Sequence, residues 1–359
     1  MKNKSGVTLV ELMIVMVIFS IVMAGLYSSY QVQSRTSRRE FRMAESGMED
    51  AIASNIIERD LCMAGYGLAD SYKSTSVSPL PRSVSATDDN PDTLTLMGTA
   101  LGMESRAAQA WSQATGTSAF MKWNDAREDL VVNDFMILME ATSKTLLTEP
   151  TNSTYLFKFN GFTSKPTSVT GNISYNLAPG TVAYGFYSST TTTASQPFYA
   201  VKYSLGGTSP SSCAPGTQSL LRAESKTTSN PTTGGQPILN CVRDFQVALG
   251  LDDNESGDID TWDNGGVHAA TYTGDTGSLV LNRRLKQIRL YALVQVGAKD
   301  NDYTYSNPAP PSGKTGDWVR VGEANLVGGV TGTNVQLSVA QLKYRWKVLT
   351  YVVTPKNVR

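Results

Sequence analysis

Between Asp252 and Asp263 the chain reads DDNESGDIDTWD, and side-chain oxygens fall on alternate positions: Asp252, Asn254, Ser256, Asp258 and Asp260, with Asp263 closing the run. Numbered from Asp252, these are positions 1, 3, 5, 7, 9 and 12 of a 12-residue calcium loop. Gly257 falls at position 6, where the chain must turn sharply, and Ile259 at position 8. Hard oxygen ligands in that order suit Ca2+, the one cofactor the sequence suggests. Asp at position 12 reaches less far than the usual Glu, which weakens a bidentate bond there. The residues just before, DFQVALG, read as a strand, so this would be an isolated loop and not an EF-hand. An acidic, solvated hairpin turn accounts for the same residues.

A second residue with chemical meaning is Glu11. From Val7 to Ser34 it is the only charged side chain, and Leu12 to Leu26 is almost continuously apolar. Roughly 20 such residues, at about 1.5 Å each, span a hydrocarbon core of about 30 Å as one helix. No A-x-A-like cleavage site follows the run, so removal of the whole segment as a secretory signal is not expected. A carboxylate inside lipid is costly and reads as functional, with a partner of opposite charge.

The residues around Glu11 name that partner. Ser5 to Leu12, SGVTLVEL, after the basic leader MKNK, closely resembles the processing site of type IV prepilins. The resemblance implies that a membrane peptidase cuts between Gly6 and Val7 and methylates the new amino terminus. Glu11 then becomes the fifth mature residue. Val7 stands where that family most often has Phe. In an assembled filament Glu11 would pair with the terminal ammonium of a neighbouring subunit.

Other chemistry finds little support. His268 is the only histidine, so a His-based zinc site or triad would rest on one loop residue. Ser312-Gly313-Lys314-Thr315 mimics the end of a phosphate loop, but Pro308 stands where its first Gly is required. Gly65-Tyr66-Gly67 lacks the third Gly of a dinucleotide fingerprint, because position 70 is Asp. Asp88-Asp89 is an ordinary polar-loop pair. No enzyme activity is expected.

The 359 residues, 40% hydrophobic and 17% charged, can bury a substantial core. The formal charge of 0 falls to −2 when Lys2 and Lys4 leave with the leader, so nothing points to nucleic acid. SSTTTTASQP (188–197) and KTTSNPTTGGQP (226–237) read as exposed loops between strands.

These residues must be positioned by larger elements. After the apolar run, Phe41, Ala44, Met48, Ile52, Ile56 and Leu61 recur every three to five residues, with Arg38, Arg39, Glu40, Glu49, Asp50 and Glu58 on the other faces. With no proline before Gly65, one helix of about 60 residues and roughly 90 Å is expected, half in lipid and half packed on a soluble head. Gly65 and Gly67 would cap its end. Strand signals follow at 92–98, 134–140, 154–162, 197–205, 244–251, 285–297 and 344–354. One long helix followed by many strands predicts an α+β layout, an antiparallel sheet covering the helix. Cys213 and Cys241 flank a Thr/Ser-rich loop that a disulfide would close, and Cys62 reads as a buried free thiol, though an odd count leaves other pairings open.

IERDLCMAGYGL (57–68), the closing strand YRWKVLTYVVTPKNVR (344–359) and the loop near residue 250 resemble PilW-type minor pilins. The resemblance implies a leader (1–6), a transmembrane helix half (7–30), an amphipathic half (31–66) and a β-rich periplasmic or extracellular head (67–359). It further implies an inner-membrane subunit that helps start type IV pilus assembly and sits at or near the tip. Its partners would be other minor pilins, the major pilin, the prepilin peptidase, the assembly platform with its ATPase, and the membrane. A J-like pseudopilin of type II secretion and a membrane-anchored adhesin are the alternative readings. The middle of the chain, 70–235, carries no such resemblance.

Overall fold

The computed structural model describes residues 8–72, 82–101, 109–151, 154–186, 198–225, 231, 234–264, 272, 274–327 and 331–357. Helix α1 (Leu9–Met63) has 55 residues, about 82 Å at 1.5 Å per residue. Thr8 caps its start: the Glu11 amide donates to the Thr8 hydroxyl, while the Glu11 carboxylate accepts from the Thr8 amide. At its end Gly65 and Gly67 take φ of 80° and 69°, a conformation open to glycine. The Gly65 amide then donates to the Met97 carbonyl at 2.8 Å, which ties the helix end to the head.

Among the described residues the helix is followed by short strands β1 (Ser71–Tyr72), β2 (Val84–Thr87), β3 (Thr93–Gly98), β4 (Trp111–Gln113), β5 (Phe135–Met139), β6 (Thr145–Leu146), β7 (Leu156–Lys158), β8 (Thr167–Ser168) and β9 (Val182–Phe186). Longer strands follow: β10 (Tyr199–Gly206), β11 (Gln218–Ser225) and β12 (Gln236–Leu251), then short β13 (Thr261–Asp263). A second helix, α2 (Gly274–Arg284), leads into β14 (Leu285–Val296), β15 (Trp318–Val321), β16 (Thr333–Gln336) and β17 (Arg345–Val353).

The main sheet is antiparallel in the order β17-β14-β12-β11-β10-β3-β2, with β13 on β12. Alternation along β14 explains its nearly unbroken apolar run. Leu290, Ala292 and Val294 join the core cluster that contains Ala53, Ile57 and Leu61 of α1. Tyr291 and Leu293 join the opposite one, with Trp346 and with Val319, Val321 and Val335 of the β15–β16 pair. A strand covered on both faces needs no polar alternation. The second sheet, built from β1 and β4–β9, has its own aromatic core around Phe120, Phe157 and Phe159. The expected α+β layout, a long helix on antiparallel sheets, is therefore what the chain adopts, with the short β1–β6 pair of the second sheet the one parallel pairing among the described residues.

The face of α1 that meets the head is not the expected stripe. Phe41, Met48 and Ile52 are 68%, 67% and 59% exposed. Of that stripe only Leu61 is buried; the other buried residues of the helix are Asp50, Ala53, Ile57 and Asp60. Asp50 was expected on a solvent face. It is buried because Lys347 of β17 meets its carboxylate. Sequence periodicity sees apolar residues on two adjoining faces of this helix and cannot see the basic residues of the sheet that let acids occupy one of them.

A further acid is buried without a cation. Asp92 is fully buried, and its Oδ2 accepts from the Val247 amide at 2.8 Å. Burial raises its pKa to about 8, with Asp88, Asp244 and Asp89 adding to the shift against the Val247 bond. The unfolded chain releases this proton near the ordinary value of 3.8, while the fold holds it to about 8. The contribution of Asp92 to stability is therefore greatest at acid pH, falls as pH rises between these two values, and levels off above the higher one. Asp244, also raised by burial, acts in the same direction. Asp92→Asn, which keeps an acceptor for Val247, is expected to flatten the decline. Thermal melts should show a gain on the order of 1–3 kcal/mol at alkaline pH and little change at acid pH.

Candidate membrane and assembly site

Glu11 sits in the first turn of an apolar run whose residues, from Leu9 to Leu26, are exposed throughout. The run makes α1 long and apolar enough to cross a membrane, and none of its most apolar window is buried against the head. Glu11 Oε2 accepts from both the Thr8 amide and the Thr8 hydroxyl at 2.9 Å. The cap orients the carboxylate toward the amino-terminal end of the helix, where a neighbour's ammonium is expected. Gly6 and Val7, the expected processing pair, lie outside the described residues.

Beyond the run, α1 is joined to the head by charge as well as by packing. Arg39 stands 3.7 Å from Asp300, which Arg345 of β17 holds at 3.1 Å. The Arg345 bond, aided by the Asp302 amide and by Arg39, keeps the Asp300 carboxyl below its usual range despite some burial. Further along, Asn240 donates to Glu49 at 3.3 Å. Deepest of all is Asp60, 1% exposed, whose Oδ2 accepts from Arg222 Nε and from the Tyr203 hydroxyl, both at 2.6 Å. Arg222 also donates to Glu224 at 3.0 Å and to the Leu101 carbonyl at 2.9 Å. Burial opposes the charge of Arg222, but the Asp60 bond outweighs it and holds the guanidinium more firmly protonated. Burial, reinforced by the Asp60 charge, pushes the Tyr203 phenol well above its usual range. This network fixes the last turn of the helix on the sheet.

The acidic loop lies elsewhere. Glu49 meets Asn240 near the start of β12, and the Asn357 amide reaches the Cys62 carbonyl at the other end of α1, so the 16 residues of β12 carry the loop away from the apolar run. Asp252 is buried; its Oδ1 accepts from Ser256 at 2.8 Å and its Oδ2 from Gly257 at 2.9 Å. Lys286 of β14 adds an ammonium at 3.2 Å. Burial raises the pKa of Asp252, but the Gly257 amide and Lys286 outweigh it and hold the carboxyl low. Asp260 accepts from the amides of Asp253 and Asn254, Asn254 from Ser256, and Ser256 Oγ from Asp258 at 3.4 Å. Asp263 is drawn into β13, paired with Leu249. Among the described residues no three carboxylate, histidine or cysteine side chains converge on one point. The loop's oxygens thus hold its own turn, and a divalent ion would meet the Lys286 charge at its first ligand.

Cys213 and Cys241 form a disulfide across a separation of 28 residues, and Cys62 is a free, half-buried thiol. Lys314 of the SGKT segment lies over the Trp318 ring, 4.2 Å from its centre, on an exposed loop. His268 lies outside the described residues. Sequence reasoning did not single out Arg222, Asp92 or the arginines of α1 as a group. The four arginines between Arg35 and Arg42 were the one visible signal.

Residues 1–27 match the family model of the prokaryotic N-terminal methylation motif. No curated protein matches the chain. Among solved structures, a type IV-like pilin from Thermus thermophilus is similar over 87% of this chain and 96% of its own, at 10% identity and a TM-score of 0.34. A likeness at that level carries no argument; the functional assignment rests on the methylation motif and on the geometry of α1.

Proposed function

We propose that the chain is a minor pilin of a type IV pilus. It is cut after Gly6, N-methylated at Val7, anchored by residues 7–30, and recruited with other minor pilins to start filament assembly at or near the tip. The observation that carries this reading is the methylation motif over residues 1–27, which runs into an exposed apolar helix with Glu11 in its first turn. Glu11 sets the register of neighbouring subunits through their amino termini, and the head, fixed to α1 by Asp60 and Arg222, supplies lateral contacts. The peptidase, the assembly platform and the major pilin are the partners this role requires. The test is a deletion strain examined by electron microscopy for surface pili, complemented with the wild type and with Glu11→Ala. Loss of pili that the wild type restores and Glu11→Ala does not is the expected result. Normal pili in the deletion strain would move the assignment to a type II secretion pseudopilin or to a membrane-anchored adhesin.

Calcium at the Asp252–Asp263 loop is a separate proposal. It requires an ion to displace Lys286 from Asp252. Melting the protein in millimolar calcium and in chelator decides it: a rise that Asp252→Ala abolishes supports binding, and coincident melts remove it.

A further inference from the structure

Where α1 leaves the apolar run, it forms a cleft of about 900 Å³ with the turn that follows β14. Its charged lining comprises Arg35, Arg38, Arg39, Arg42, Lys299 and Arg345 against only Asp300 and Asp302. Six cations facing two carboxylates is a steep local imbalance in a chain whose formal net charge is 0. The pairing within the cleft sharpens it. Asp300 is shared by Arg39 and Arg345, and Arg42 turns to Glu45 at 2.8 Å. Among the described residues Arg35, Arg38 and Lys299 have no acidic partner, and all three are exposed.

Such an arrangement is unfavourable in isolation. Like charges at three- and four-residue spacing destabilise a helix by a few tenths of a kcal/mol per pair. An anion seated among them removes that repulsion. Position supplies the anion. At 1.5 Å per residue, Arg35 lies about 8 Å and Arg42 about 18 Å beyond Tyr30. The headgroup layer extends about 5–8 Å from the hydrocarbon edge. Helical side chains lean toward the amino-terminal end of their helix, which here is the membrane side, and arginine stems are long enough to reach the interface. Tyr27 and Tyr30, exposed just before the cluster, have the amphipathic character of an interfacial belt.

We propose that this cleft binds the phosphate of an anionic phospholipid headgroup in the membrane that holds α1, which seats the head against that surface before the subunit leaves the bilayer. The proposal rests on the reading of residues 7–30 as membrane-inserted. Arg35, Arg38 and Lys299 supply the free cations. Arg39 and Arg345 are held by Asp300 and keep the wall of the cleft in place.

The test uses the full chain in neutral detergent, titrated calorimetrically with short-chain phosphatidylglycerol, short-chain phosphatidylcholine and inorganic phosphate. Wild type is expected to bind phosphatidylglycerol at least about tenfold tighter than either other ligand, and to lose that affinity as salt is raised. A variant carrying Arg35→Gln, Arg38→Gln and Lys299→Gln should lose roughly a hundredfold in affinity, since each cation near an anionic membrane contributes about fivefold. A control with Lys122→Gln and Lys165→Gln, in loops between strands of the second sheet, should bind as wild type does. Equal affinity for phosphatidylcholine, salt-insensitive binding by the wild type, or undiminished affinity in a normally melting triple variant would overturn the proposal. Inorganic phosphate bound as tightly as the lipid would overturn the lipid assignment. Flotation with vesicles of phosphatidylcholine alone and of equal parts phosphatidylcholine and phosphatidylglycerol separates this failure from the other. A chain that floats with neither vesicle contradicts the membrane reading itself, whereas one that floats with both but shows no headgroup preference contradicts only the cleft.

Discussion

Arg222→Ala is expected to destabilise the protein by about 3–5 kcal/mol, because it strands the Asp60 carboxylate in the core. Asp60 is 1% exposed, and its Oδ1 already lacks a hydrogen-bond partner among the described residues, so Oδ2 with its two donors carries the anion. Removal of Arg222 leaves the Tyr203 hydroxyl alone, which cannot neutralise a charge. Chemical denaturation followed by tryptophan fluorescence measures the loss. Asp60→Leu combined with Arg222→Met should recover most of it, since an apolar pair of similar volume avoids desolvating two ions. If the single and double variants are equally unstable, the fault lies in packing and the charge argument fails. The effect should also reach the helix, because this contact holds the last turn of α1 on β10 and β11.

Breaking the Cys213–Cys241 bridge has the next largest expected effect. It closes a loop of 28 residues, and the loss of unfolded-chain entropy corresponds to about 3–4 kcal/mol on the chain-entropy model. Cys213 lies beside Ala214, whose amide donates to Gln295 of β14 at 2.6 Å, so the bridge also anchors this turn over the main sheet. Cys213→Ser with Cys241→Ser should lower the melting temperature by several degrees. A reductant should lower the wild type by a similar amount and leave the double variant unmoved. Cys62→Ser, which touches no disulfide, should change neither response.

How much of the fold was legible in the sequence depends on the range of the interactions. The start of α1 was readable from the apolar run, though not the Thr8 cap that fixes it, and its end because Gly65 and Gly67 take a conformation that suits glycine. Strands β14 and β17 were readable as long β-branched and aromatic runs, β12 only over 244–251 because its start at Gln236 falls in a segment read as a loop, and the two cysteines as flanks of one loop. The buried face of α1 was not. Asp50 and Asp60 are buried by Lys347 and Arg222, whose proximity arises only once the sheet forms. Helix α2 was also missed, since GDTGSLVLNRR carries two glycines that weaken a helical pattern. Short polar strands such as β2 and β16 owe their conformation to neighbours in the sheet rather than to their own pattern. For the acidic loop, spacing showed where oxygens alternate. It could not show that they turn onto the loop's own amides and onto Lys286.

Cut after Gly6 as a prepilin, the chain would give Glu11 the terminal ammonium of a neighbouring subunit as its partner. Mass spectrometry of the amino-terminal peptide, from protein extracted from membranes of cells that contain the peptidase, tests this processing most directly. The expected product is a mature chain that begins at Val7 and carries one methyl group on its amine. A chain that retains Met1 to Gly6, or is cut elsewhere, would contradict it.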